Sequence, residues 1–272
     1  MSDSRYPRFT RHQRLQHMVL MVSFTVLALT GLPQRYAATR TGEGVIALLG
    51  GIEAVRVLHR VAAVVMMAAA LVHLLDAAFR ILVLRRPLAM LPGLGDLRDL
   101  WWTLRYNLGL AADRPQMGRY TFEEKIEYWS LLWGTAIMVL TGFALWNPIA
   151  TARWLPGQFI PAGLAAHSGE ALLAVLAVLV WHGYGVHLRH FNRSMFTGTL
   201  TEEEMREHHP RELAALVAGT GPALPPPDVV RRRRARFLPV AILASLLVVW
   251  GLYRFVTFEQ TALATVSPPS SE

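Results

Sequence analysis

Five stretches of mostly apolar residues, each long enough to cross a hydrocarbon layer about 30 Å thick, constrain this chain more than any other feature. They are expected at about Leu15–Leu32, Ala54–Leu84, Ile126–Trp146, Leu164–Leu188 and Phe237–Val256. In hydrocarbon every backbone amide must be satisfied within its own segment, so runs of this length fold as helices. Thr30-Gly31-Leu32-Pro33 closes the first and Asn147-Pro148 the third, as helix stop signals do. The second is long enough to protrude or tilt. With 53% hydrophobic and only 17% charged residues, the composition is that of a multi-span membrane protein. The expected fold class is an all-α membrane protein: a four-helix transmembrane bundle plus a fifth C-terminal transmembrane helix.

The segments between the spans set the expected organisation. Residues 1–190 form the bundle, and its loop 85–125 carries Leu97, Leu100, Trp101, Leu104 and Leu108 at the spacing of an interfacial helix. Residues 35–53 form the first outer loop, semi-apolar from Val45 to Gly51. Residues 191–236 read as a polar linker with an acidic patch (Glu202, Glu203, Glu204), a run of Pro225, Pro226 and Pro227, and then Arg231–Arg234. Residues 237–257 hold the fifth span and 258–272 an external tail. Beyond its paired histidines the sequence shows no internal repeat. The N-terminus imitates a secretory signal, with Arg5, Arg8, Arg11 and Arg14 before an apolar run. Arg35 and Arg40 flank the would-be cleavage site, however, and a retained first span is expected.

Charge gives the orientation. The net charge of +8 comes from arginines clustered between apolar segments, not along one soluble face, which argues against a nucleic-acid partner. The N-terminal tail, the second-to-third loop (Arg85, Arg86, Arg98, Arg105, Arg114, Arg119, Lys125) and the fourth-to-fifth connection (Arg189, Arg193, Arg206, Arg211, Arg231–Arg234) are rich in positive charge. The alternate loops hold only Arg35, Arg40 and Arg56, or Arg153. The positive-inside rule then puts the N-terminus in the cytoplasm and the C-terminal tail outside.

Histidines mark the chemistry. His59 and His73 lie 14 residues apart in the second span, and His167 and His182 lie 15 apart in the fourth. Such separations put each pair broadly on one helix face and roughly 21 Å apart in depth. Histidine in a span is costly without a partner. Two helices offering imidazoles at two depths suit two b-type haems, His59 pairing with His167 outside and His182 with either His17 or His73 inside. The chain has no cysteine, so covalent haem attachment, Fe–S clusters and thiolate zinc are excluded within it. Bis-His ligation leaves no open iron position and serves electron transfer rather than substrate chemistry. Ala62, Ala63, Ala68, Ala69 and Ala70, with Gly169, Ala171, Ala174 and Ala177, leave room for porphyrin. Arg56 or Arg60 near His59, and Arg14 near His17, are candidates for haem propionates as against ordinary interfacial arginines.

A set of short motifs carries a family resemblance across roughly residues 5–213. They are Arg14-Leu15-Gln16-His17, Thr30-Gly31, Val57-Leu58-His59, Gly118-Arg119-Tyr120, Tyr128-Trp129-Ser130, Thr141-Gly142, His167, His182 and His208-His209-Pro210. In this order and spacing the chain resembles the di-haem cytochrome b membrane subunits of formate dehydrogenase (the gamma subunit), hydrogenase and thiosulfate-type reductases. The resemblance implies His59 and His167 on the outer haem iron, His17 and His182 on the inner one, and a quinone site beside the inner haem at Gly118-Arg119-Tyr120-Thr121. The family pattern has Asn where this chain has Thr121. His73 departs from it as well. The residue has the 14-residue spacing of the b6 kind, where helix two supplies both ligands, and it is the alternative inner ligand. Otherwise His73 and Asp76, one turn on, form either a proton path to the quinone or an ordinary interfacial pair near the cytoplasmic surface. The fifth span is a third departure from the four-helix formate dehydrogenase subunit.

The function expected is electron passage across a bacterial inner membrane, between a quinone or quinol pool and a partner subunit bearing Fe–S clusters or c-type haems on the outer face, within a hetro-oligomeric complex. Rival readings are a self-contained transmembrane reductase of the b561 kind and a haem-free transporter or scaffold whose histidines handle protons or metal. His187 and His190 are read as interfacial or quinone-edge groups, and His208 and His209 as a docking loop. Glu170 reads either as a proton-handling group or as a side chain reaching outward.

Overall fold

The computed structural model describes residues 4–188 and 191–257. Arg189, His190 and the expected external tail, 258–272, lie outside the described residues. A short strand, β1 (Arg5–Pro7), precedes helix α1 (Arg11–Arg35). Then come α2 (Arg40–Leu48), α3 (Ile52–Leu82), α4 (Leu94–Asn107), α5 (Phe122–Trp146), α6 (Pro148–Ala152) and α7 (Phe159–Leu176). From Ala177 to His182, and again from Tyr184 to Leu188, α7 continues in π geometry. After it follow α8 (Ser194–Thr197), β2 (Thr199–Thr201), α9 (Glu202–His208), α10 (Pro210–Val217) and α11 (Pro227–Thr257).

Among the described residues, five helices are long and apolar enough to cross a membrane: α1, α3, α5, α7 with its π continuation, and α11. Each corresponds to one of the five expected spans. At most 11% of any apolar window is buried within the chain, so these faces are suited to hydrocarbon or to other apolar partners.

Local chemistry explains the helix starts. Thr10 and Gln13 cap α1 reciprocally, the Gln13 side chain accepting from the Thr10 amide (3.0 Å) and Thr10 Oγ1 from the Gln13 amide (3.3 Å). Thr121 with Glu124, and Thr201 with Glu204, repeat this capping box before α5 and in α9. Proline opens α6, α10 and α11, where its missing N–H costs nothing. A helix, α4, covers the stretch near Leu97–Leu108 where one was expected.

Two segments are more ordered than their composition suggests. The loop 35–53 contains α2, capped by Thr39. The polar stretch 191–236 is not a simple linker. It holds α8, β2, α9, α10 and the first turns of α11, so Arg231–Arg234 lie within a helix.

The chain forms two compact units. The first comprises the described parts of residues 1–21, 72–132 and 181–237. In it β1 pairs antiparallel with β2, Tyr6 opposite Leu200, and packs on a small core of Leu200, Met205 and Leu213. The buried Arg8 guanidinium binds Glu124 at 2.9 Å and Glu212 at 3.1 Å and donates to the Arg119 carbonyl; Arg119 in turn pairs with Glu212. Asp99 with Arg211 (2.8 Å) and Lys125 with Asp96 (2.8 Å) tie α4 to α10 and to the start of α5. Phe237 of α11 meets Phe79 of α3 with ring centroids 5.6 Å apart. The second unit comprises 22–71, 133–180 and the described part of 238–272, and here Phe255 of α11 packs edge-on against Phe143 (4.8 Å).

Candidate haem sites

In the second unit, His59 of α3 and His167 of α7 face one another, with ring centroids 6.3 Å apart. Their outer nitrogens are held alike. Thr30 Oγ1 donates to the Val26 carbonyl (2.7 Å), so its lone pairs accept from His59 Nδ1–H at 2.9 Å. Thr141 Oγ1 donates to the Ile137 carbonyl (2.6 Å) and accepts from His167 Nδ1–H at 2.9 Å. A ring with its proton on Nδ1 keeps a lone pair on Nε2, the form that binds iron. The glycine after each threonine makes space for the ring. A Cβ on Gly31 would stand 3.1 Å from His59 Cε1, and one on Gly142 3.4 Å from His167 Cε1.

In the first unit, His17 of α1 and His182 lie with ring centroids 6.4 Å apart. His182 Nδ1–H donates to Glu127 Oε2 of α5 at 3.2 Å. His17 Nδ1 is buried and has no hydrogen-bond partner among the described residues. His187 stands edge-on to His182 (6.3 Å) and near Phe191 (6.5 Å). His187 and Phe191, with Asn192, Arg193, Phe196 and Thr197, line a cavity of about 430 Å³.

These pairs fit a metal held between two imidazoles. A shared ion about 2 Å from each ring nitrogen, with that nitrogen about 1 Å from its ring centre, puts the two centroids about 6 Å apart. Both pairs have that separation. Haem b is the group of that kind a cysteine-free chain can hold without covalent attachment.

His73 is engaged differently. Its Nδ1 lies 3.0 Å from Gln16 Oε1 and its Nε2 2.9 Å from the Tyr128 hydroxyl, so neither nitrogen is free for iron. His73, the alternative inner ligand, thus has both ring nitrogens in hydrogen bonds within the first unit. Asp76 binds Arg80 (2.7 Å) and lies 3.9 Å from His12.

The contacts repeat between two helix pairs. On α1, Gln16 and Thr30 are 14 residues apart; they meet His73 and His59, 14 apart on α3. On α5, Glu127 and Thr141 are 14 apart; they meet His182 and His167, 15 apart. A π turn takes up one more residue than an α turn, and π geometry sets in between His167 and His182. In this correspondence His17 matches Tyr128, and His182 matches His73.

The remaining expected site residues are placed as follows. Arg14 donates to the Thr197 carbonyl (3.1 Å), Arg56 pairs with the exposed Glu53 (2.7 Å), and the Arg60 guanidinium stacks on Trp146 (4.9 Å). Gly118, Tyr120 and Thr121 belong to the segment gripped by α10 and the N-terminus. His209 Nδ1–H donates to the Gly118 carbonyl at 2.9 Å, Arg8 lies over the Tyr120 ring at 5.2 Å, and Glu124 accepts from the Thr121 amide at 2.9 Å. Burial, and then the nearby Arg8 charge, lower the pKa of His209 below its ordinary 6.5. His209 thus anchors a loop rather than presenting a docking surface. Sequence reasoning missed the positioning roles of Thr30, Thr141, Gln16, Glu127 and Tyr128, although the two Thr-Gly pairs were visible.

Comparison with known proteins gives the family. The family model described as prokaryotic cytochrome b561 matches residues 5–198. The nitrate-inducible formate dehydrogenase cytochrome b556(Fdn) subunit of Escherichia coli K12 is 23% identical over 119 residues, 43% of this chain and 54% of that protein. The formate dehydrogenase cytochrome b556(fdo) subunit of the same organism is 22% identical over 206 residues, 75% of this chain and 90% of that one. The chain thus spans about half the length of the first of these relatives and most of the second.

Proposed function

Because the chain belongs to the prokaryotic cytochrome b561 family, we propose that it passes electrons across the membrane, between a quinone pool and a partner redox subunit, through two bis-His b-type haems. It is an integral membrane protein of the cytochrome b class, and haem b is the cofactor its family implies. His59 and His167 would hold one haem, and His17 and His182 the other. The bound group supplies a one-electron iron couple.

The chain's own residues do the rest. Thr30 and Thr141 hold two ligand rings in the iron-binding tautomer, and Glu127 holds a third through a carboxylate. Arg14, Arg56 and Arg60 remain candidates for propionates. The quinone would lie in the first unit, near the Gly118–Thr121 segment that Arg8, Glu212 and His209 brace. The cavity beside His187 is within the size range of small-molecule sites. The relatives are named as formate dehydrogenase subunits, which supports a hetero-oligomeric complex whose partner carries Fe–S clusters or c-type haems. Arginine distribution supports a bacterial inner membrane with the N-terminus cytoplasmic, the partner docking outside and lipid covering the apolar faces.

The observation that carries this reading is the two facing imidazole pairs at 6.3 and 6.4 Å. Haem quantitation on purified protein, with a reduced-minus-oxidised spectrum, tests it. The expected result is about two haem b per chain, with one lost in His17→Ala and one in His59→Ala, and none lost in His73→Ala. Folded protein without haem would sink the reading.

A further inference from the structure

His73 lies in a membrane-spanning helix, outside both facing histidine pairs, and such a residue needs a reason to be there. Its hydrogen bonds can be assigned a direction. Gln16 Oε1 can only accept, so His73 Nδ1 carries the hydrogen. The neutral ring then accepts at Nε2, and the Tyr128 hydroxyl is the donor. At the other side of Gln16, its amide nitrogen donates to His12 Nε2 at 2.7 Å. Donors therefore point one way along the series, from Tyr128 on α5 through His73 and Gln16 to His12, whose side chain is half exposed. The inner end of the series is the residue next to Glu127, which holds His182.

We propose that Tyr128 and His73 form a proton-transfer pair for quinol chemistry in the first unit, with Gln16 positioning His73. This rests on the quinone reading above. Tyr128 would take the proton of a quinol hydroxyl on its oxygen as the electron leaves for a haem that His17 and His182 would hold. Its own hydrogen moves to His73 Nε2, forming the imidazolium. His73 then gives that Nε2 proton to water, which restores the Nδ1–H form that Gln16 holds, and the pair cycles twice per quinol. Over two such cycles two electrons would leave for the haems, two protons would reach solvent, and quinone would remain. Quinone reduction runs the same transfers backwards. The charged and titratable groups around His73 suit this traffic. Asp76 and Arg80 lie on its own helix, His12 on α1 sits 3.9 Å from the Asp76 carboxylate, and the Tyr128 hydroxyl on α5 faces its Nε2 at 2.9 Å. Gln16 fixes which nitrogen receives the proton, and this is what lets a neutral ring wait as a base.

The test uses haem-loaded full-length protein, with decylubiquinol and separately a soluble menaquinol analogue as reductant. Haem reduction is followed by stopped flow from about pH 5 to about pH 9, in H2O and D2O, for wild type, Tyr128→Phe and His73→Gln. Both variants are expected to keep two haems and unchanged midpoint potentials, to slow quinol-driven reduction by about tenfold to a hundredfold, and to flatten its pH profile and isotope effect. Reduction-induced infrared difference spectra with labelled histidine provide a readout independent of rate. An imidazolium band present in wild type should vanish in both variants. Wild-type rates, pH profile and infrared bands in both variants would overturn the relay while leaving the quinone reading intact. Loss of one haem in His73→Gln alone would overturn it by making His73 a ligand. If neither quinol reduces wild-type haem, the quinone reading fails and takes the relay with it.

Discussion

Adding one methyl group at Gly31 probes the ligand geometry most directly. A Cβ there would lie 3.1 Å from His59 Cε1, whereas the matching Cβ at Gly142 would lie 3.4 Å from His167 Cε1. The first distance is inside ordinary contact, so the His59 ring must retreat by a few tenths of an ångström; the second is ordinary contact. The bond from His59 Nδ1 to Thr30 is 2.9 Å, and a retreat of that size carries it past the usual limit of about 3.2 Å. Losing that bond costs about 1 kcal/mol, and the iron bond suffers the same displacement. Both substitutions gain the same helix propensity, about 0.5–1 kcal/mol, so the difference between them isolates the contact with the ring. Gly31→Ala should therefore weaken haem binding at the His59/His167 site by about tenfold relative to Gly142→Ala, since about 1.4 kcal/mol is one decade. The assay is haem b per chain by pyridine haemochrome, followed by titration of haem into depleted protein. Equal losses in the two variants, or a larger loss in Gly142→Ala, would refute the argument.

Three further predictions concern the groups around the rings. Glu127→Gln replaces a charge-assisted hydrogen bond to His182 by a neutral one; at about 1 kcal/mol, and about 59 mV per decade for a one-electron couple, it should raise one haem's midpoint potential by tens of millivolts. Spectroelectrochemical titration checks this, and two unshifted components would contradict it. Thr141→Val removes the acceptor for His167 Nδ1–H, and affinity for one haem should fall by about 10- to 100-fold. Heating series that compare haem release with wild type would show no difference if the threonine were merely filling space. The third concerns His209, whose folded pKa lies below its ordinary 6.5 because of burial first and Arg8 second. The unfolded segment then binds the proton more readily, so its contribution is fully present above about pH 6.5 and is lost as pH falls from there through the lowered folded value. Amide exchange over Glu202–Val217 should accelerate on acidification, and His209→Gln should blunt the change.

Hydropathy made the five spans legible because backbone satisfaction in hydrocarbon leaves few alternatives to helices. Histidine spacing made His59, His167 and His182 legible for a similar reason, since imidazole is conspicuous among leucine and alanine. The partners were harder to see. A threonine within a span reads as one that bonds its own i−4 carbonyl, and Thr30 and Thr141 do so while also accepting from a ring on another helix. Gln16, Glu127 and Tyr128 lie near span ends, where polar residues look merely interfacial. His73 could not be separated from His17 by spacing, and its hydrogen-bond partners, Tyr128 and Gln16, come from two other helices that spacing within α3 does not reveal. The stretch 191–236 looked like a linker because its order depends on distant groups, β1 and Arg8 above all. Its Thr201-x-x-Glu204 capping box was present in what otherwise reads as an acidic patch.

The repeated contacts bear on how such a chain can diversify. In the second unit both helix pairs use the same solution, a threonine to a ring, which leaves Nε2 of each ring available. In the first unit the facing imidazoles come one from each helix pair, His17 from the first and His182 from the second, and the matching positions hold Tyr128 and His73. That is redundancy with one copy released from duty. A position built to present an imidazole beside a redox centre, but not required to bind it, can take on different chemistry by single substitutions without sacrificing the cofactor.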